Sequence, residues 1–474
     1  MDSYVISPIE DNFNKGKFQA VINLIKSLRE KSLNSLPTSN ILELNYFESR
    51  TLERLSNLPK AWENFLKSEK FFLESKNSDL CCKLIITCHK AYLTWKLGKL
   101  EEGLNDILIN EDFIKEVVQT YKNRKKQDDF EYEKWLGLYH IIISNYYMVL
   151  GDLKKAWEMN EASIYYYTLI NYRLYIGKII SNFAEIYRLR GEPELALEKF
   201  FEADKISQEI DDPYSHLLAL YNIGETYYLL DNIDEARHYF LESRKIAEII
   251  NNYVYQAYSH YKLLVINYNE KNLLEVEKSL YVLNFLLIKG NRNPFIENLT
   301  NIGKALQLLL LGSFKNTVLA QEILNMINSE PILDFESNIF VILLLAEINL
   351  LEYEVYNNPV VLKDINENLK NLLKFAEKNN ISNLLIEMYI LEAKIDILEG
   401  NFGKVEKLLI KAITIAKEKH LNLLMKKAET ELANFNNQIT KWKTLIETNA
   451  SSIELLELAD LVTYINELKR MKFK

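Results

Sequence analysis

The sequence predicts an all-α solenoid of antiparallel helix pairs with terminal capping helices, and three observations carry that expectation. A set of residue types recurs every 40 positions through the middle of the chain. Gly and Pro, which punctuate loop-rich folds, number only 13 and 8 in 474 residues. Apolar residues keep helical spacing, and no stretch alternates apolar with polar as a half-buried strand would. A chain this long exceeds one ordinary core, and no Pro/Gly/Ser-rich linker divides it, so one extended array is favoured over separate domains.

The recurrence is plainest in two segments. Asn182-Phe183-Ala184-Glu185-Ile186-Tyr187 runs through Gly191 to Ala196, Phe200 and Ala203, and Asn222-Ile223-Gly224-Glu225-Thr226-Tyr227 runs through Asp231 to Ala236, Phe240 and Ser243. One step back, Ser144, Tyr147, Gly151, Ala156 and Ser163 hold the same places, and one step forward Val276 and Leu280 form a weaker copy. Where the two helices of a pair cross closely only a small side chain fits. That requirement traces the first helices at Ser49, Ala91, Ser144, Ala184, Gly224, Ala305, Ala346 and Ala393, with Leu264 the exception. The matching second-helix places are Ala20, Ala61, Gly103, Ala156, Ala196, Ala236, Val276, Thr317 and Val405. Gly16, Gly98, Gly151, Gly191, Asp231, Gly312 and Gly400 mark the turns, because a helix commonly ends on a left-handed residue.

Taken along the chain, residues 1–35 read as an incomplete N-terminal pair with Pro8 in its leading segment, 36–440 as the helix-pair array, and 441–474 as C-terminal capping helices. The 53 residues from Gly103 to Ala156 exceed the period, and the polar stretch Lys122 to Glu133 is the expected place for the excess. The final segment has the capping box Ser451-x-x-Glu454 and an apolar face through Leu455, Leu458, Leu461, Ile465 and Leu468, which suits a helix sealing the last repeat. The closing cations Lys469, Arg470, Lys472 and Lys474 complement that helix's C-terminal dipole.

These motifs resemble the tetratricopeptide repeat, whose first helix carries a small residue and a Tyr and whose second carries Ala-x-x-x-Phe. The 40-residue period resembles kinesin light chain, LGN-type polarity adaptors and Rap-like peptide sensors more than the common 34-residue form. The resemblance implies a right-handed superhelix whose first helices line a concave face. It also implies inward positions three and two before the small residue, and one and four after it. On this chain those positions give Asn145, Ser181, Asn182, Glu185, Arg188, Tyr221, Asn222, Glu225, Tyr228, Tyr261 and Lys262 as a peptide-binding groove. Amides at Asn182 and Asn222 can bond a peptide backbone whatever its side chains, so an extended peptide or a helix is the expected occupant. Glu225 is read as a solvated groove position whose loss costs little, and Asn251 and Asn252 as an inert connection. The carboxylate clamp of chaperone-binding relatives is incomplete. Asn145 and Asn182 match, but Ile141, Leu218 and Asn222 stand where that clamp has cations.

Several functions are disfavoured. A net charge of −9 opposes nucleic acid and anionic lipid, and the basic cluster Lys122, Arg124, Lys125, Lys126 is answered by Asp128, Asp129, Glu131 and Glu133. The start of the chain has no basic n-region or apolar h-region, and the most apolar run, Ile339 to Leu351, contains Glu347 and Asn349 and reads as a buried helix. The cytoplasm is the expected location. Cys81 and Cys88 would lie roughly 10 Å apart on one helix, too far to share a metal ion, and Cys82 points elsewhere. Buried structural thiols are expected. The six histidines lack consistent carboxylate or nucleophile neighbours, and no phosphate loop, HExxH helix or nucleophile elbow occurs. No catalytic site, metal or cofactor is expected. In the run Tyr165-Tyr166-Tyr167, helical geometry forces at least one ring outward. The leading reading is a protein-binding scaffold with its site in the groove. A Rap-like sensor that changes shape on binding peptide, and an accessory subunit of an enzyme, stay open beside it.

Overall fold

A turn costs the middle of this chain three residues: one that ends a helix, one in the left-handed region, and one that starts the next. The computed structural model describes residues 3–32, 36–76, 79–123, 130–329, 335–356 and 359–447, and these form twenty-two helices and no strand. The N-terminal helices are α1 (Ser3–Asn14), α2 (Phe18–Ser32), α3 (Thr38–Arg54), α4 (Leu58–Glu74), α5 (Leu80–Lys96), α6 (Leu100–Ile109) and α7 (Glu111–Asn123). After α8 (Phe130–Val149) come seven helices of 17 residues each: α9 (Leu153–Leu169), α10 (Arg173–Leu189), α11 (Pro193–Glu209), α12 (Pro213–Leu229), α13 (Ile233–Ile249), α14 (Tyr253–Asn269) and α15 (Leu273–Lys289). The rest are α16 (Pro294–Leu311), α17 (Phe314–Ser329), α18 (Phe335–Tyr356), α19 (Pro359–Asn379), α20 (Ser382–Leu398), α21 (Phe402–Glu418) and α22 (Asn422–Glu447).

Left-handed backbone recurs at Gly151, Asn171, Gly191, Asp211, Asp231, Asn251, Lys271 and Asn291, one every 20 residues. Gly, Asn and Asp tolerate that conformation best, so the sequence sets the beat. The next residue is often a cap: Asp152, Asp212, Asn232, Asn252 and Asn272 each accept a backbone N–H from three residues on. Asn251 and Asn252 are therefore turn and cap, not an inert connection.

The close crossings lie where the small residues are. Ser49 and Ser144 donate from Oγ to the carbonyls of Ala61 and Ala156, at 3.1 and 3.0 Å. A Cβ added to Gly224 would stand 2.9 Å from the Phe240 ring. Two second-helix serines return the contact, Ser163 to the Gly137 carbonyl at 2.7 Å and Ser243 to that of Leu217 at 2.9 Å. In α17 the connection after Gly312 shortens to two residues, and Ala320 rather than Thr317 is the buried small residue. The excess between Gly103 and Ala156 is only partly the polar stretch. The second helix of that pair is lengthened and broken at Asn110, whose amide donates to the Asp106 carbonyl at 2.7 Å. The basic cluster Arg124–Lys126 with its partners Asp128 and Asp129, the capping box at Ser451 and Glu454, and the closing cations lie outside the described residues.

The array closes on itself. Turns along one edge of the middle repeats pack against helices roughly five 40-residue periods later. Gly151 abuts Phe375 and Phe335, Ser382 Oγ donates to the Arg190 carbonyl at 2.8 Å, and Lys426 reaches Asp231 at 3.1 Å. An apolar core unites Leu153, Ile186 and Leu189 with Ala346, Leu369 and Leu384. At the other end Ile6, Ile9, Phe13 and Phe18 share a core with Tyr214, Leu217 and Ile250. The glycines at 151 and 191 thus serve close approach as well as turning: an added Cβ would come 2.4 Å from Phe375 and 2.9 Å from Ser382 respectively.

The remaining expectations fare unevenly. Cys81, Cys82 and Cys88 are free and buried. Tyr165 is exposed while Tyr166 and Tyr167 are buried. Among the described residues no helix is long and apolar enough to cross a membrane, and no group of His, Cys, Asp and Glu is placed to hold a metal ion. The histidines are less solitary than expected: His216 Nδ1 pairs with Asp204, and His420 Nδ1 lies 2.7 Å from Glu194.

Candidate peptide cavity

Closure turns the concave face into a cavity of about 290 Å³. Nine of the eleven positions expected in the groove line it: Asn145 from α8, Ser181, Asn182, Glu185 and Arg188 from α10, Tyr221, Asn222 and Glu225 from α12, and Lys262 from α14. Two do not. Tyr261 is 1% exposed and belongs to the core between α14 and α16. Tyr228 packs beside that core, its hydroxyl accepting from Asn269 Nδ2 at 2.6 Å.

The amide row is partly self-satisfied. Asn182 Nδ2 donates to Asn145 Oδ1 and to the buried Asn160 Oδ1, both at 3.2 Å, so Asn182 holds the wall as well as facing the cavity. Asn222 also lines the cavity, and among the described residues its side-chain amide has no hydrogen-bond partner.

The charges are buried and paired. Arg188 forms bidentate bonds to Glu185 and, across the closure, to Glu336 of α18, with shortest contacts of 2.5 and 2.6 Å. Burial alone would raise the Glu336 carboxyl, but Arg188 and Lys262 more than offset it and hold it low. Glu225 is buried and meets Lys262 at 2.7 Å, which corrects its reading as a solvated position. Burial raises its carboxyl despite Lys262 and Arg188.

A second group comes mostly from before the regular repeats: Arg50 and Arg54 of α3 and Lys96 of α5, joined by Lys178 of α10, with Tyr46, Tyr92, Trp95 and Tyr175 beside them. The counting rule that gave the groove residues, carried back to Ser49 and Ala91, lands on Tyr46, Arg50, Tyr92 and Trp95. The same count also gives Phe47, Glu53, Cys88 and His89, which do not line the cavity. Arg54, Lys96 and Lys178 lie off the rule. Arg50 Nη1 donates to Tyr175 Oη at 2.8 Å, a bond joining residues 125 apart that helps close the cavity.

Residues 175–249 match the tetratricopeptide repeat family. No curated protein matches the chain. Among solved structures, the Rap protein complexed with competence and sporulation factor aligns at 12% identity and a TM-score of 0.43, over 85% of this chain and 99% of that one. Aspartyl phosphate phosphatase F from Bacillus subtilis gives 13% identity and a TM-score of 0.42, over 80% and 94% of the two chains. Yeast Tom70 gives 14% and 0.30, over 91% and 96%. Residues 175–249 are thus a tetratricopeptide-repeat region within an all-α solenoid of helix pairs.

Proposed function

We propose that this protein is a non-enzymatic receptor for a short polypeptide segment, held extended in the cavity lined by Asn145, Asn222 and Glu225. One observation carries the reading: residues from α8, α10, α12 and α14, separate in sequence, converge on one cavity, where the Asn222 side-chain amide has no hydrogen-bond partner among the described residues. An extended occupant suits the space better than a helix. An extended segment leaves its backbone N–H and C=O groups free to bond the Asn222 amide, whereas a helix pairs its own.

The test begins with selection from a library of linear peptides against the full chain. Binding of a selected peptide is then measured by titration calorimetry. Asn222→Ala should weaken it about two- to tenfold, the worth of one neutral hydrogen bond, and Asn222→Trp, which fills the cavity, should abolish it. A peptide that binds Asn222→Trp undiminished occupies another surface, and the reading fails.

A second reading, a sensor that changes shape on binding, draws support from the closure itself. Arg188–Glu336 and Arg50–Tyr175 join different turns of the superhelix at the cavity wall. A ligand competing for those side chains shifts the balance between closed and opened arrays. Small-angle scattering with and without a selected peptide would show a changed radius of gyration. An unchanged profile at saturation leaves the plain scaffold.

A further inference from the structure

Charge balance differs along the cavity. Around Arg188 and Lys262 stand three carboxylates, Glu185, Glu225 and Glu336. Elsewhere along the cavity Arg50, Arg54, Lys96 and Lys178 converge, and among the described residues only Glu53 and Asp212 answer them. Two buried guanidinium groups and two half-buried ammonium groups against two carboxylates is a costly arrangement, because desolvated charge needs a counter-charge to offset it. We infer that this basic region is an anion site, and that it holds a carboxylate or phosphate group at one end of the bound ligand. The inference rests on the receptor reading for what the rest of the ligand is, and on these side chains for the anion.

Several buried donors there are unused. Arg50 and Arg54 are 4% and 5% exposed, yet Nε of Arg50 and Nη1 of Arg54 have no hydrogen-bond partner, nor has the buried Tyr46 hydroxyl. Aromatic rings cover the guanidinium faces. The Arg54 guanidinium carbon stands 3.2 Å from the Tyr214 ring centroid, and that of Arg50 lies 4.6 Å from Phe13 and 5.2 Å from Tyr92. These cation–π contacts hold the guanidinium groups in place, and a guanidinium's planar fork of N–H donors matches a planar oxyanion. Among the described residues Lys96 Nζ has no hydrogen-bond partner and rests 3.9 Å from the Trp95 ring centroid. Lys178 reaches Asp212 only at 3.5 Å. Burial pushes both lysines down to about 8, with Arg50 and Arg54 adding to the effect against Glu53 at Lys96 and Asp212 at Lys178. An arriving anion would relieve that. The site shares no residue with the clamp positions Ile141, Leu218 and Asn222, which hold no cation.

The test uses the full chain near neutral pH and reads the thermal midpoint in sodium chloride and in sodium phosphate of equal ionic strength. Trialanine follows, with a free or an amidated C-terminus. Phosphate or the free-acid tripeptide should raise the midpoint by mass action, and the amide should need roughly tenfold more for the same rise. Lys96→Met should raise the midpoint in chloride, by removing an unanswered charge, and should weaken the anion response about tenfold or more. Lys70→Met, an exposed position away from the cavity, should change neither. A phosphate response that Lys96→Met removes, without any from trialanine or library peptides, upholds the anion site and sinks the peptide reading. Library peptides that bind equally when amidated, in phosphate and to Lys96→Met overturn the inference and leave the peptide reading standing. Absence of any anion response over chloride overturns it outright.

Discussion

From Leu153 to Leu273 every helix begins 20 residues after the last, whereas from Leu100 to Phe130 the interval is 30 and holds a broken helix. The regular stretch contributes amides and charges that answer one another, as Arg188 is answered by Glu185 and Glu336. The less regular N-terminal helices contribute Arg50, Arg54 and Lys96, which are not answered in full. A strict repeat sets the cavity's shape, since each copy delivers its inward positions at the same height. The departures from it deliver the asymmetry a ligand could recognise. This division is open to attack by mutation.

The largest effect should come from Arg188→Met, which leaves Glu185 and Glu336 facing each other across the closure. Breaking a buried pair from one side costs about 3–5 kcal/mol, and chemical denaturation would read it. A loss below about 1 kcal/mol would show that the regular repeats do not depend on the later helices stacked on them.

Next stands a pair of glycines. Gly224→Leu forces a side chain toward the Phe240 ring 2.9 Å from its Cβ site, and should cost about 1–3 kcal/mol. Gly403→Leu, in α21, meets nothing within 4 Å and should instead gain up to about 1 kcal/mol of helix propensity. Equal shifts would mean that Gly224 is not at a tight crossing.

Lys96→Met probes the N-terminal side, where the sign reverses and a gain on the order of 1 kcal/mol is expected. The pH dependence is distinctive. Burial holds the folded ammonium near 8 against its ordinary 10.5, with Glu53 opposing and Arg54 and Arg50 reinforcing the shift. Between those values the unfolded chain binds the proton and the folded chain does not, so rising pH stabilises the wild type. The variant's advantage should be constant below about 8 and shrink as pH climbs toward 10.5. An advantage that widens instead would place the lysine in an answered site.

The smallest effect belongs to Asn222→Ala, under about 0.5 kcal/mol by thermal unfolding, as for surface positions without partners. Asn182→Ala should cost more, because it strands the amides of Asn145 and the buried Asn160. Indistinguishable variants would mean the amide row is not part of the wall.

Much of this was legible beforehand because tetratricopeptide pairing is local. Ser144, Ala184 and Gly224 mark crossings whose partners lie within one repeat, and from them eight cavity residues follow by counting, with Lys262 following from Leu264. Tyr261 failed because it is taken into the core that α14 shares with α16, a contact between pairs that counting within one repeat does not register. Glu225 was misjudged because its burial depends on Lys262 in the next pair and on closure over the whole face. Closure leaves only a faint trace in sequence. Asn or Asp suffices for left-handed backbone at 171, 211, 231 and 251, yet 151 and 191 carry Gly, where a later helix comes too near for a Cβ. Superhelical pitch decides that contact, and no spacing within one repeat encodes it.

The stacking of late helices on early turns also sets a schedule for the ribosome. Asp231 gains its contact with Lys426, and the Arg190 carbonyl its bond from Ser382, only after some 195 and 192 further residues have been joined. At about 5–20 residues per second that is on the order of 10–40 s. For that interval the apolar edge at Leu153, Ile186 and Leu189 has no cover from Leu369 or Leu384. A nascent chain in this state is a candidate for chaperone capture, and slowing translation between codons 190 and 420 should lengthen its exposure.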